Sequence, residues 1–168
     1  MNEEYEKKLY KILDDLNIKY QKFEHPAFAT CEASGDFYQK NEMGIDCKNM
    51  FLRDKRGRRH YLLVLRADKR LDIPHLAEFL GEHRKMGFAS EERLAKYLGL
   101  SPGSVTPLAL IYPGAKNIPL IIDKDILVSD YIHFHPFRNT ASLKIKKDDF
   151  LRFCDKYACE VLFYDTEK

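Results

Sequence analysis

The 168-residue chain carries 28 Lys and Arg against 26 Asp and Glu, a formal net charge of +2. That balance excludes a uniformly basic nucleic-acid coat protein but leaves room for a local basic face. Apolar residues make up 45% and charged residues 32%, which excludes a disordered chain and suits one domain, residues 1–168, whose core needs no staples.

Tyr5, Leu9, Ile12, Leu13 and Leu16 recur at helical spacing, so residues 3–16 read as an amphipathic helix. This opening is charged and unlike a secretory signal, and no apolar run approaches the roughly 20 residues that span a membrane. IKYQKFEHP reads as a strand ended by Pro26. Residues 30–40 read as a short helix with Thr30 as its N-cap. NMFLRD and HYLLVLRA read as two strands of a hairpin around the KRGR turn. DIPHLAEFLGE and ASEERLAKYLGL follow as helices, with Pro74 near the first turn of one, Ser90 capping the other, and Gly81 and Gly99 at their ends. SPGSVTP is a loop. LALIY, IPLIID, ILVSDYIHF and ASLKI read as strands, residues 147–158 as a helix, and EVLFYD as a closing strand. Strands and helices are interspersed without strict β-α-β alternation. The expected fold is a single α+β domain around a mixed, twisted sheet flanked by helices.

Cys31, Cys47, Cys154 and Cys159 form no C-x-x-C pair and read as reduced thiols of a cytoplasmic protein. There is no G-x-S-x-G elbow, Walker loop or G-x-G-x-x-G. His133 and His135 share a strand face, yet nothing nearby supplies the further ligands that zinc requires. Neither a metal nor a cofactor is expected. Pro136 places His135 at a strand mouth, where Asn139 can fold back to orient it. In SPGSVTP, Gly103 allows close backbone approach, and successive N–H groups could face a carbonyl oxygen as an oxyanion hole; the plainer reading is a rigid connector. Lys48 and Asn49 open a strand. Arg53, Lys55, Arg56, Arg58 and Arg59 crowd the turn that follows, either as a soluble hairpin tip or as a ridge that contacts phosphates.

These pieces meet in one resemblance. HPA at residues 25–27, KNMFLRDKRGRRHYLLVL, GSVTPLAL and HPFRNTAS, in that order, resemble the free-standing aminoacyl-tRNA deacylases related to the editing insertion of bacterial prolyl-tRNA synthetase. This is the YbaK or prolyl-tRNA-synthetase-associated domain family. Within it the chain is most similar to the branch that hydrolyses alanine mischarged onto proline tRNA. The resemblance implies a hydrolase of alanyl-tRNA(Pro) that spares prolyl-tRNA(Pro). It places the essential lysine on Lys48 with its neighbour Asn49, and the pocket loop on Gly103, Ser104, Val105, Thr106 and Pro107. The histidine of the H-P-x-x-N motif falls on His135 with Asn139, and the His-Pro element on His25 and Pro26, with Thr30 beside the amino-acid pocket. Two departures bear on substrate choice: Cys47 stands where threonine is usual, and AFATCEAS replaces an apolar-Thr-apolar-Glu run. The implied partners are the acceptor end of tRNA(Pro) and prolyl-tRNA synthetase, met by a monomer or weak homodimer. A cysteinyl-tRNA(Pro) deacylase and a non-catalytic tRNA-binding module are the alternatives.

Overall fold

The computed structural model describes residues 2–167, with the Cys31 side chain outside that description. Five α-helices and eight strands form in the order α1 (Asn2–Asp15), β1 (Tyr20–Glu24), α2 (Cys31–Lys40), β2 (Cys47–Arg53), β3 (His60–Arg66), α3 (Ile73–Leu80), β4 (Gly87–Phe88), α4 (Glu91–Leu98), β5 (Leu120–Asp123), β6 (Tyr131–Phe134), β7 (Ala141–Lys146), α5 (Lys147–Tyr157) and β8 (Val161–Tyr164). The expected caps form. Thr30 Oγ1 accepts from Ala33 N, Ser90 Oγ accepts from Arg93 N, and Gly81 and Gly99 close their helices in the left-handed region.

The strands divide between two sheets. A mixed sheet runs β4-β2-β3-β5-β8, and a smaller antiparallel sheet runs β1-β7-β6. The expected hairpin pairs Cys47 with Arg66 through Arg53 with His60. β3, β5 and β8 run parallel. β3 and β5 are buried almost throughout because both faces of the large sheet are covered. Their alternation separates two cores. Leu62, Val64, Leu120 and Ile122 pack with α1, α4, α5 and the small sheet. Tyr61, Leu63, Leu65 and Ile121 pack with Leu76 and Ala77 of α3 and with Tyr164.

Two expected strands are different. Residues 107–111 form a buried 3-10 helix, started by Pro107 and capped by Thr106 Oγ1 at Leu108 N. A short run that is apolar throughout carries no period, so its sequence could not choose between strand and helix. Likewise Lys124–Val128 is a 3-10 helix capped by Asp123, and the strand after it covers only Tyr131–Phe134. The two-residue β4 had no signal of its own. It pairs only with Leu52 and Arg53, which leaves the first residues of β2 on an open sheet edge.

Candidate active site

That open edge forms one wall of a cleft of about 510 Å³, lined by Lys48, Asn49, Asp46 and Cys47 from β2 and the residue before it. Gly103 and Val105 face it from the 101–107 loop, His135 and Asn139 from the turn after β6, and Phe28, Ala29, Thr30, Ser34 and Tyr38 from α2 and its approach. Four stretches far apart in the chain therefore converge.

Lys48 makes no ion pair or hydrogen bond with any described residue, so a cation stands uncommitted in the cleft. Asn49 Nδ2 donates to Val105 O at 3.1 Å and ties the loop to the strand; its Oδ1 is buried without a hydrogen-bond partner. Gly103 has φ +87°, a conformation side chains rarely adopt. Ser104 is turned away from the cleft: its N–H and Oγ both donate to Ser101 O, at 3.2 and 2.8 Å. Thr106 and Pro107 are fully buried and start the 3-10 helix. Of the five loop residues named from the sequence, only Gly103 and Val105 line the cleft, and their N–H groups have no acceptor among the described residues.

The His135 Nδ1–H donates to Ala141 O at 2.8 Å. A carbonyl can only accept, so this bond fixes the tautomer and leaves Nε2 as a bare base. Burial pushes the His135 pKa below its ordinary 6.5, with the nearby His25 and His133 adding to the effect. The ring is thus neutral at pH 7. Asn139 does not orient it, contrary to expectation; its amide lies near Gly103 instead. The turn from His135 to Ala141 carries Phe137 at φ +66° and is held by Arg138, which donates to Glu6 (2.8 Å), both Glu24 oxygens (2.8 and 2.7 Å) and Thr140 (2.9 Å).

His25 and Pro26 stand behind the wall. His25 Nδ1–H donates to Pro26 O and Nε2 accepts from Ser142 Oγ, each at 2.8 Å. The His25 ring stacks on Phe28 at 4.6 Å and lies 6.0 Å from that of His135. Thr30 lines the cleft while capping α2. His133, the other member of the H-x-H pair, donates from Nδ1 to Met43 O at 2.9 Å. Among the described residues no three His, Cys, Asp or Glu side chains gather as a metal site. Burial pushes the Cys47 thiol well above its ordinary value, which removes it as a thiolate nucleophile at neutral pH.

Asp46, Phe28 and Tyr38 escaped the sequence reading. Thr30, Ser34 and Tyr38 recur every four residues, which marks one face of α2; Asp46 gave no comparable signal. The basic turn lies five residues along β2 from Lys48, about 17 Å away at strand rise. Arg59 forks onto the buried Glu82 (2.8 and 2.9 Å), and Arg53 donates to the turn carbonyls of Asp54 and Lys55. Lys55, Arg56 and Arg58 make no ion pair with described residues. Beside them lies a second cleft of about 590 Å³ whose charged lining, among the described residues, is cationic: Arg58, Arg59, Lys96 and Lys116.

The model of the aminoacyl-tRNA editing domain matches residues 25–153. Prolyl-tRNA editing protein ProX of Acetoanaerobium sticklandii is 35% identical over 137 residues, 82% of each chain. Prolyl-tRNA synthetase associated domain-containing protein 1 of Danio rerio is 33% identical over 152 residues, 89% of this chain and 81% of the relative. A solved structure described as a candidate trans-editing enzyme for prolyl tRNA synthetase superposes with TM-score 0.69 over 97% of this chain and 98% of its own; at 16% identity that likeness is one of fold. The motifs that line the cleft all fall within the matched span, and on these grounds the chain belongs to the aminoacyl-tRNA editing domain family.

Proposed function

We propose that the protein is a trans-editing deacylase that hydrolyses the ester of alanine mischarged onto tRNA(Pro) and spares prolyl-tRNA(Pro). The observation that carries this reading is the pairing in one cleft of an uncommitted cation, Lys48, with a neutral imidazole, His135, whose Nε2 is bare. The kinship with a prolyl-tRNA editing protein supports the substrate. An aminoacyl ester is already activated, so positioned water and a stabilised oxyanion suffice for its hydrolysis.

In this account the Gly103 and Val105 N–H groups receive the carbonyl oxygen. His135 Nε2 takes a proton from water as it attacks the carbonyl carbon. The carbonyl–ribose C–O bond then breaks, and the imidazolium returns the proton to the ribose oxygen. Lys48 holds the phosphate of the terminal adenosine or stabilises the developing negative charge. Asn49 fixes the Val105 side of the loop, and His25 with Phe28 backs the wall. Ser104, Thr106 and Pro107 shape the loop from behind. Lys55, Arg56 and Arg58 extend the positive path toward the acceptor stem.

Discrimination follows from size. A site that fits a methyl group clashes with the proline ring, whereas a proline-sized site rejects alanine by only about 1–3 kcal/mol per missing methylene. Assays with alanyl-, cysteinyl- and prolyl-tRNA(Pro) test the reading. Turnover of alanyl-tRNA alone is expected; preference for cysteinyl-tRNA, or no turnover, replaces it with one of the two alternatives.

A further inference from the structure

The cleft contains a charged group that the proposed reaction does not use. Among the described residues, Asp46 is its only lining carboxylate. The Asp46 backbone is held by the Ala67 N–H, which donates to its carbonyl at 2.9 Å, and its side chain is about one-third exposed, at 35%. The nearest basic group is His133 Nε2, 3.5 Å from Oδ1. His133 commits its Nδ1–H to Met43 O, and at 3.5 Å no hydrogen bond joins its Nε2 to the carboxylate. Lys48 stands two residues further on, yet the two charges form no ion pair. The wall therefore presents an anion and a cation side by side, each available to a ligand.

A ligand that matches this arrangement carries a positive donor and a negative group a few bonds apart. We propose that Asp46 forms an ammonium subsite that binds the α-ammonium group of the aminoacyl moiety, while Lys48 meets the negative charge of the adenosine end or of the reacting carbonyl. The inference rests on the aminoacyl-ester reading of the cleft and adds to it a requirement for a free amino group. An acyl group without that ammonium leaves the Asp46 carboxylate unpaired as the ligand displaces water from it, which disfavours binding. The subsite also sets the direction of the side chain: with the ammonium on Asp46 and the carbonyl at Gly103 and Val105, the substituent on Cα has one remaining direction.

The test separates this subsite from the hydrolysis itself. Two acceptor-stem minihelices are prepared with a stable amide at the terminal ribose, one bearing alanine and the other bearing lactic acid, in which a hydroxyl replaces the ammonium at nearly equal size. Equilibrium dissociation constants are measured for the wild type, Asp46→Asn and Asp46→Ser. The wild type is expected to bind the alanyl amide roughly 10–100-fold tighter than the lactyl amide, the worth of a charge-assisted hydrogen bond. Either variant that folds is expected to bring that ratio close to one. Equal affinities in the wild type, a ratio that survives in a folded variant, or no binding of either amide overturns the subsite. Neither amide is hydrolysed, so these results do not depend on catalysis. Failure of the deacylase reading shows separately, as stable alanyl-tRNA in the presence of a protein that still prefers the alanyl amide.

Discussion

Lys48 is exposed to the cleft and touches no described residue in a way that would stabilise the fold. Its removal therefore separates chemistry from stability. Lys48→Ala is expected to slow single-turnover deacylation by roughly a hundredfold, the scale of losing one oxyanion-stabilising group, while stability shifts by no more than about 0.5 kcal/mol. Single-turnover rates and urea unfolding of the same preparation check both halves; a near-wild-type rate removes Lys48 from the chemistry. His135 makes a prediction in pH. Burial lowers its pKa from 6.5, and the base is active when neutral, so deacylation is expected to rise with pH through a midpoint below 6.5 and level off by neutrality. A midpoint above 6.5, or the same acid limb in His135→Asn, assigns the base elsewhere.

The turn between β2 and β3 divides its cations between two tasks. Arg59 neutralises Glu82 through both carboxylate oxygens, and Glu82 Oε1 also accepts from Tyr61 at 2.5 Å. Arg59→Ala leaves that buried acid short of donors and is expected to destabilise the protein by about 1–2 kcal/mol, which chemical denaturation measures. Lys55, Arg56 and Arg58 have no such partner. Their joint replacement by Ala is expected to preserve stability and to weaken tRNA binding, lowering the log–log salt slope by roughly 0.7–0.9 for each phosphate the turn no longer neutralises. A salt slope unchanged in this triple variant makes the turn a solvated tip only. The turn from His135 to Ala141 answers to acid instead. Its Arg138 holds the Glu24 carboxylate down at about 2 and keeps that of Glu6 below its ordinary 4.5. Carboxylates with depressed pKa values contribute stability that is complete above 4.5 and lost as pH falls toward about 2. Unfolding midpoints of wild type and Arg138→Ala should therefore differ at pH 7 and converge as pH falls to about 2; a constant difference shows that Arg138 acts by packing alone.

Across the whole molecule, the cleft was legible in the sequence where one residue type has one use. Gly103 before a proline-rich turn, His135 before Pro136 and Lys48 at a strand start all mark places where the backbone or a charge is constrained locally. What could not be read depended on direction. Ser104 carries the same hydroxyl whether it faces the cleft or Ser101, and only the folded loop turns it onto the Ser101 carbonyl. Arg59 reads like its basic neighbours until α3 brings Glu82 against it. Asp46 reads as one more surface acid until the two sheets place it opposite α2. The layering has the same character: the alternation in β3 was visible, but not that its two faces would serve separate cores. These placements meet in one claim, that the cleft removes a small amino acid from tRNA(Pro) and excludes the ring of proline. The most direct measurement is a side-by-side time course of alanyl-tRNA(Pro) and prolyl-tRNA(Pro) with the purified wild-type protein. The account predicts that the alanyl ester is hydrolysed and the prolyl ester persists at its spontaneous rate; equal loss of both, or loss of neither, contradicts it.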